Sequence, residues 1–218
     1  MADERSTGVI LRTRPLTETS LIVQWLSPDL GRISTVAKGA RRQKSSFRGK
    51  LDLFYEAEFS FQRSRRSDLH TLREVGLRET HPAIRLEIDR LEQASYFSAL
   101  LQQSTESETP LGELHSLFIG AISELERHPP QPQAVFAFEL RLLEELGLAP
   151  DLASSPLSEG TRKLAAVLRE GDWPMVFRLQ AAPGQVTELR HFLHGYLLHH
   201  LDRLPPGRTR ASSISRIW

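Results

Sequence analysis

The sequence 51-LDLFYEAEFSFQ-62 carries the clearest secondary-structure signal in the chain. Apolar and polar residues alternate along it, and Phe54 is the exception among the mostly polar even-numbered positions. A period of two places successive side chains on opposite faces of an extended strand. The stretch therefore predicts one half-buried β-strand over residues 51–62. Its apolar face consists of Leu51, Leu53, Tyr55, Ala57, Phe59 and Phe61.

Shorter β-favouring runs lie on both sides of this strand. The turn sequence SPDLG interrupts the chain at residues 27–31, and the basic sequence RSRRS follows the strand at residues 63–67. Five short strands without a long helix predict a small closed barrel, because closure removes exposed strand edges. An OB-fold barrel matches best, although an SH3-like barrel would give a similar pattern. The other four strands are expected at residues 8–16, 19–26, 32–37 and 68–79.

Between two of these strands lies the segment 38-KGARRQKSSFRGK-50, called the basic loop below. Residues 30–51 contain seven basic side chains and no acidic one. Gly39 and Gly49 favour a mobile backbone, and Phe47 is the only large apolar side chain in the loop. A flexible positive segment with one aromatic residue is typical of a surface that binds a phosphate backbone. An ordinary solvated surface loop is the alternative.

Charge is distributed unevenly along the chain. The formal net charge is +1, but residues 1–80 carry 15 Lys and Arg against 10 Asp and Glu, whereas residues 81–218 carry 13 against 17. A basic N-terminal part joined to a mildly acidic C-terminal part favours polyanion binding by the first and partner binding by the second. The chain has no cysteine, which excludes disulfides and thiolate metal sites. Without an apolar run of about 20 residues or a secretory signal in MADERSTG, a soluble cytoplasmic protein is expected.

The part of the chain after residue 80 shows apolar residues at helical spacing. Pro110 is well placed in the first turn of a helix. Proline has no backbone N–H, and the N–H groups of the first turn have no acceptor within the helix. Gly147 is the expected C-terminal cap of the third helix. The helices are expected at residues 83–103, 110–127, 133–146, 161–170 and 185–204.

These patterns together predict an α+β protein with two domains. An N-terminal OB-fold β-barrel occupies residues 1–80 and ends at His81-Pro82, since the residue before proline disfavours continued structure. An α-helical bundle domain occupies residues 81–218. Its last part, residues 205–218, is a basic tail that we expect to be mobile.

The sequence contains no recognisable catalytic constellation. Residues 39–45, GARRQKS, are similar to a phosphate-binding P-loop, but Gln43 stands where that loop needs a glycine. His191 and His194 are one helical turn apart, yet His199 lies about 12 Å from His191 along the axis, too far for one ion to reach both. No GxSxG motif and no thiol nucleophile occur. We therefore expect no enzyme activity, no catalytic residue, no metal site, no cofactor and no small-molecule substrate.

Several local sequences resemble those of the RecO family of recombination mediators. They are TSLIV at 19–23, GRI at 31–33, VAKGARR at 36–42, KS at 44–45, EQASY at 92–96 and FELRLLEELG at 138–147. The resemblance extends over most of the chain. It implies an OB-fold domain that binds single- and double-stranded DNA and anneals complementary strands in recombinational repair.

The same resemblance implies partners. We would expect a RecR-type protein, the tail of single-strand-binding protein, which binds the helical domain, and, indirectly, RecA, which is loaded onto coated strands. The protein itself would be cytoplasmic and nucleoid-associated, without a membrane partner. Members of the family often carry a four-cysteine zinc finger after a sequence like GLAPDL at residues 147–152. Here ASSPLS follows at residues 153–158, so region 148–160 is a degenerate zinc-finger region without cysteine. The zinc ion of the family is therefore not expected in this chain.

The predicted DNA-binding residues are mainly basic. Phe47 either stacks on a base or anchors the basic loop on the barrel. Arg63, Arg65 and Arg66 extend the track if their hairpin loop lies on the same side as the basic loop. An RNA-binding OB-fold protein and a protein-interaction adaptor without direct DNA binding remain as alternatives. The predicted set is Arg32, Lys38, Arg41, Arg42, Lys44, Ser45, Phe47, Arg48, Lys50, Arg63, Arg65 and Arg66.

Overall fold

The computed structural model describes residues 3–213. The chain divides into two compact units. The first comprises Met1–His81 with Thr105–Ser116, and the second comprises Pro82–Ser104 with Leu117–Trp218. The barrel unit thus includes a segment that the sequence placed in the helical domain. Within the described range, no helix combines the length and the apolar composition needed to span a membrane.

The first unit is built on a closed β-barrel of five strands among the described residues. They are β1 (Glu4–Pro15), β2 (Leu21–Ser27), β3 (Gly31–Ala37), β4 (Glu56–Gln62) and β5 (Leu69–Glu79). Around the barrel the strands follow the order β1-β2-β3-β5-β4. Pairing is antiparallel except between β3 and β5, which are parallel. This topology confirms the predicted OB-like fold class.

Aromatic side chains fill the barrel. The Trp25 ring stacks on Phe59 with 4.3 Å between ring centroids, and Phe59 packs against Phe61. Trp25 Nε1 donates a 2.9 Å hydrogen bond to Thr35 Oγ1, which satisfies the polar atom of the buried indole. Burying a large apolar side chain of this kind stabilises a fold by roughly 1.5–3 kcal/mol. The rest of the core consists of Ile10, Val23, Ile33, Ala37, Phe47, Ala57, Leu72 and Val75.

The predicted strand over residues 51–62 is wrong in its first half, because only Glu56–Gln62 is a strand. Phe54 has a φ of 65° and is 1% exposed, so the backbone turns where the alternation fails. The Phe54 N–H donates to Ile10 O at 2.8 Å, and the Ile10 N–H donates to Tyr55 O at 3.0 Å. In the sequence, the buried Phe54 in a left-handed turn therefore looked like a single exception within an alternating strand.

Residues 105–111 run along the barrel as a further backbone segment. The Glu108 N–H donates to Arg32 O at 2.9 Å. A Cβ on Gly31, whose φ is +68°, would lie 1.8 Å from Thr109 O. Only glycine fits there, both for its φ and for this close approach. These contacts explain why the segment belongs to the barrel unit although helices flank it in sequence.

The described helices are α1 (Pro82–Leu86), α2 (Ile88–Ser104), α3 (Gly112–Arg127), α4 (Pro132–Glu145), α5 (Glu159–Glu170), α6 (Trp173–Arg178), α7 (Pro183–Leu201) and α8 (Arg208–Ser213). Helix α4 is buried almost all round, which is typical of the central helix of a bundle. Phe138 in α4 stacks on Phe97 of α2 with 4.4 Å between ring centroids. The predicted helical character of this part of the chain is confirmed.

Helix α4 ends where the sequence predicted. The Leu148 N–H donates to Leu143 O at 2.7 Å, and the Gly147 N–H donates to Glu144 O at 2.9 Å. Gly147 has a φ of +71°. This pair of bonds is the Schellman motif, so the predicted glycine cap is confirmed. The single helix predicted over residues 83–103 is instead the two helices α1 and α2.

Part of the predicted mobile tail is helix α8. The side chain of Arg208 is 7% exposed, and its Nε and Nη2 donate to the two carboxylate oxygens of Glu139 at 2.7 and 2.8 Å. Tyr96 Oη also donates to Glu139, at 2.5 Å. The expectation of mobility is therefore wrong for α8, because its arginine pairs with a buried carboxylate on α4. Residues 214–218 lie outside the described residues.

Hydrogen bonds organise the segment that stands in place of a zinc finger. Asp151 accepts from the Ala153 N–H at 3.0 Å and from Ser154 Oγ at 2.7 Å, and the Ser154 hydroxyl is the main cause of the lowered pKa of the Asp151 carboxyl. Ser158 then caps α5 by accepting from the Thr161 N–H. Because the sequence has no cysteine, these residues do not fit a thiolate-bound zinc ion.

Candidate nucleic-acid interface

The strand directions place the connecting segments at two ends of the barrel. Since β1 is antiparallel to both β2 and β4, residues 16–20 and 38–55 lie at one end. The hairpin at 63–68 lies at the opposite end, because β4 runs away from the basic loop. A backbone contact agrees with this assignment: the Arg41 N–H donates to Thr19 O at 3.0 Å.

The basic loop is a run of hydrogen-bonded turns. The Arg42 N–H donates to Gly39 O at 3.0 Å, and the Ser45 N–H donates to Arg42 O at 3.1 Å. Ser45 Oγ then accepts from the Phe47 N–H at 3.2 Å. Gly39 and Gly49 have φ values of +69° and +73°. The glycines therefore occupy left-handed turn positions that would strain other residues, rather than serving as points of mobility as predicted.

Phe47 anchors this loop on the barrel. Its side chain is 8% exposed and belongs to the same core cluster as Trp25 and Phe59. A base needs an accessible ring face for stacking, and a ring with so little exposed surface does not offer one. The geometry therefore favours the anchoring role among the two that the sequence left open.

Five basic side chains of the loop are exposed. Among residues 3–213, none of the five forms an ion pair with a carboxylate. Arg41 Nη1 donates instead to Thr17 O and Arg48 Nη1 to Gln43 O, both at 3.3 Å. Cations without acidic partners are available to neutralise phosphates. The five are Lys38, Arg41, Arg42, Lys44 and Arg48.

A cavity of about 340 Å³ opens within the basic loop. Arg41, Arg42 and Arg48 line it together with Phe47. Guanidinium groups present several N–H donors in a planar fork that matches phosphate oxygens. Lys50 lies outside this cavity, half-buried, and its Nζ donates to Val75 O at 3.1 Å. The loop thus offers three convergent arginines on a fixed backbone.

Arg32, another predicted site residue, lies at the far end of the barrel, at the start of β3. Its side chain is half-buried, and its Nη2 donates to Thr105 O. Burial lowers the pKa of the guanidinium. These contacts make Arg32 a residue that fastens the segment 105–111 to the barrel, and the structure does not bring it to the basic loop.

Arg63 is held by two carboxylates at the same far end. Its Nε and Nη2 donate to Glu4 at 2.8 and 3.0 Å, and its Nη1 donates to Glu108. The hydrogen bond raises the pKa of Arg63 and lowers the pKa of Glu4. Arg65 and Arg66 are exposed. The hairpin and the basic loop are therefore separated by the length of the barrel.

Sequence reasoning missed the residues that support the basic loop from the β1–β2 connection. Ser20 Oγ accepts from the Gly39 N–H at 3.4 Å. The carbonyls of Thr17 and Thr19 accept from the side chain and the backbone of Arg41. The sequence TETS at residues 17–20 was the available signal, because serine and threonine side chains commonly stabilise turns.

The first unit is an OB-like barrel whose basic loop displays cations without acidic partners among residues 3–213, an arrangement that nucleic-acid-binding modules also show. Residues 1–81 match the family model described as "Recombination protein O N terminal". Residues 85–156 match the model described as "Recombination protein O C terminal". The two matches together cover most of the chain.

Curated relatives agree. The DNA repair protein RecO of Chromobacterium violaceum is 30% identical over 227 residues, which cover 99% of this chain and 87% of that protein. That of Anaeromyxobacter sp. (strain K) is 29% identical over 231 residues, covering 90% and 91%. That of Azoarcus sp. (strain BH72) is 33% identical over 172 residues, covering 77% and 69%. The chain belongs to the RecO family of DNA repair proteins.

Proposed function

We propose that the protein is a non-enzymatic recombination mediator of the RecF-type pathway. It binds single- and double-stranded DNA through the basic loop, anneals complementary strands and assists RecA loading, in the cytoplasm and in association with the nucleoid. The observation that carries this proposal is the set of five exposed loop cations without acidic partners among the described residues. Family membership supports the setting in DNA repair.

Binding rests on phosphates and therefore shows little sequence preference. Each cation that neutralises a phosphate releases counterions, so affinity falls as salt rises. If the five exposed loop cations each contact one phosphate of a single strand, log K falls with log salt at a slope of about −3.5, from about 0.7 per contact. Annealing follows because a neutralised strand repels its complement less.

Partner proteins complete the proposal: a RecR-type protein, the tail of single-strand-binding protein, and RecA indirectly. A groove of about 690 Å³ on the helical unit supports the second of these. Ile88, Leu91, Tyr96 and Pro206 give it a mostly apolar lining, and Arg210 borders it. An extended peptide with large apolar side chains and acidic groups suits such a groove.

A strand-annealing assay on complementary oligonucleotides tests the proposal, with and without single-strand-binding protein. The variant Arg41→Glu/Lys44→Glu reverses two exposed loop charges. The control Lys163→Glu/Arg178→Glu makes the same change in charge at exposed positions of the helical unit. We expect the loop variant to lose most annealing and the control to keep it.

Two results would contradict the proposal. Equal or tighter binding of RNA than of DNA of the same sequence would favour the RNA-binding alternative, since the 2′-hydroxyl distinguishes the two. Intact DNA binding by the loop variant, together with loss of a protein complex, would favour the adaptor alternative.

A further inference from the structure

A second groove crosses the outer face of β1, β4 and β5, and two of the predicted site residues, Phe47 and Lys50, line it. Its volume is about 870 Å³. Thr7, Glu58 and Gly76 lie beside one another on the three adjacent strands. They alternate with core residues such as Phe59 and Val75, so they point away from the barrel interior. The groove is thus a surface feature of the barrel rather than part of its core.

The floor of this groove is polar and lacks one side chain. Ser60, whose side chain points outward between two core phenylalanines, is 5% exposed and lines the groove. A Cβ placed on Gly76 would have no atom within 4 Å. A glycine in a strand often marks a place where another chain approaches closely. The missing side chain deepens the groove at its centre.

Cations border the groove on several sides. Arg78 pairs with Glu58 at 2.6 Å, but both side chains are more than half exposed. Such surface pairs contribute only about 0–1 kcal/mol, so a phosphate can replace the carboxylate. Arg5 is exposed and forms no ion pair among residues 3–213. The cations are Arg5, Lys50, Arg73 and Arg78, against the acidic Glu58 and Glu74.

The groove leads from the basic loop towards the hairpin at the other end of the barrel. Lys50 of the basic loop lines it, and its Nζ donates to Val75 O on β5 at 3.1 Å. Arg73, which donates to Gln62 at 2.5 Å, lies near the last residue of β4, where the hairpin begins. Arg73 and Arg78 are five positions apart along β5, about 17 Å at roughly 3.3 Å per residue. The groove, with cations along its sides, therefore connects the basic loop with the hairpin at residues 63–68.

The opposite side of the barrel is less open. Leu26 and Val36 alternate with the core residues Trp25 and Ala37, so they point outward from β2 and β3. Both are nevertheless buried. A nucleic-acid strand that follows the barrel from end to end thus has its accessible polar route on the β1–β4–β5 face.

We propose that this groove is a path for single-stranded nucleic acid, which extends the site at the basic loop along the barrel towards Arg65 and Arg66. The inference rests on the proposed function of the basic loop. Phosphates lie against Arg5, Arg73 and Arg78, and the strand backbone passes over Gly76. Glu58 and Glu74 accept hydrogen bonds from exocyclic amino groups of bases. A path of this kind explains how widely separated basic segments act on one strand.

The test compares two lengths of oligodeoxycytidylate, whose bases carry the N4 amino group, by fluorescence anisotropy. A strand of about six nucleotides fits the basic loop alone, and one of about sixteen extends through the groove, within the range of OB-fold site sizes. Gly76→Leu fills the groove without changing charge, and Arg5→Ala/Arg73→Ala removes two of its cations. Gly195→Leu is the control, because a Cβ at this exposed glycine of α7 also meets nothing.

We expect both groove variants to bind the long strand about tenfold more weakly and the short strand as the wild type does, with unchanged thermal unfolding. For Arg5→Ala/Arg73→Ala, the salt slope for the long strand should fall by about 1.4, from about 0.7 for each of two lost contacts. Equal binding of the long strand by the groove variants and wild type would overturn the path while leaving the basic loop's function standing. Loss of a protein complex without loss of DNA affinity would also overturn it, because the groove would then be a protein interface. A wild type that binds neither strand would overturn both proposals.

Discussion

The basic loop and helix α8 are both arginine-bearing segments without acidic residues of their own, yet their arginines differ in burial and in ion pairing. In the loop, the side chains of Arg41, Arg42 and Arg48 are exposed and unpaired within the described part of the chain. In α8, Arg208 is buried against Glu139. The difference is a carboxylate contributed by a distant part of the chain. An arginine with such a partner stabilises the fold, and one without it is available to a ligand.

The largest expected effect tests the buried pair. Arg208→Ala leaves the buried Glu139 carboxylate without its cation, which should lower the free energy of unfolding by about 3–5 kcal/mol. Denaturant unfolding followed by circular dichroism measures this. The control Arg210→Ala removes an arginine of the same helix that is 78% exposed and pairs with Glu92. That change should cost no more than about 1 kcal/mol. An equal loss of unfolding free energy in Arg208→Ala and Arg210→Ala would show that burial does not determine how much each arginine stabilises the fold.

Phe47 sharpens the comparison, because it belongs to the exposed loop but should behave as a core residue. Phe47→Ala should lower the free energy of unfolding by about 3 kcal/mol, as the loss of a buried ring does. Unfolding and DNA affinity are measured on the same sample. A stable variant with weakened binding of single-stranded DNA would instead identify Phe47 as a stacking residue.

Reversing charges in the basic loop should change binding and leave stability alone. Arg41→Glu/Lys44→Glu should weaken binding of single-stranded DNA about 10- to 100-fold, or about 1.4–2.7 kcal/mol. The slope of log K against log salt should fall from about −3.5 to about −2.1, since two contacts are lost. The free energy of unfolding should change by less than about 0.5 kcal/mol. A salt-independent affinity of the wild type would contradict the phosphate mechanism.

The smallest effect concerns Arg63, whose pairing with Glu4 lies between the two extremes. Because Arg63 lowers the pKa of Glu4, the pair stabilises the fold above the unfolded carboxyl pKa of 4.5 and loses this contribution as pH falls through the lower folded value. Both side chains are more than one third exposed, so solvent screening limits the contribution to below about 1 kcal/mol.

The measurement is the difference in unfolding free energy between the wild type and Glu4→Gln at neutral and acidic pH. The difference should be present at pH 7 and shrink in acid. Asp68→Asn is the control, because Asp68 is an exposed acidic residue of the same hairpin that forms no ion pair among residues 3–213. A difference that stays constant with pH would show that the carboxylate charge of Glu4 is not responsible.

Local patterns predicted the fold well wherever one signal dominated. Gly147 correctly predicted the end of α4. The five strands were also predicted, although their observed bounds differ from the predicted ones. The prediction failed at Phe54, where a buried residue with positive φ imitates a strand position. The sequence also did not indicate that residues 105–111 contact the barrel, because these contacts join positions far apart along the chain.

The candidate site divides in the same way. A dense run of cations with no acid nearby marked the basic loop correctly as a charged surface. The same reasoning included Arg32, and Arg63 on the condition that its hairpin lies on the same side, although both are hydrogen-bonded to groups at the far end of the barrel. Glu139 carried a usable signal, because a carboxylate that follows the apolar run from Ala134 to Phe138 requires a buried partner.

The sequence by itself determined the five strands, the helical character of the later part of the chain, the position of the basic loop and, through the absence of cysteine, the lack of a thiolate zinc site. Periodicity and composition are local properties, so they can be read without coordinates. Only the tertiary structure decided which arginines are available. Pairing depends on distances of a few ångströms between residues such as Arg208 and Glu139, which lie far apart along the chain. The direction of each strand likewise decided that the two basic connections occupy opposite ends of one barrel.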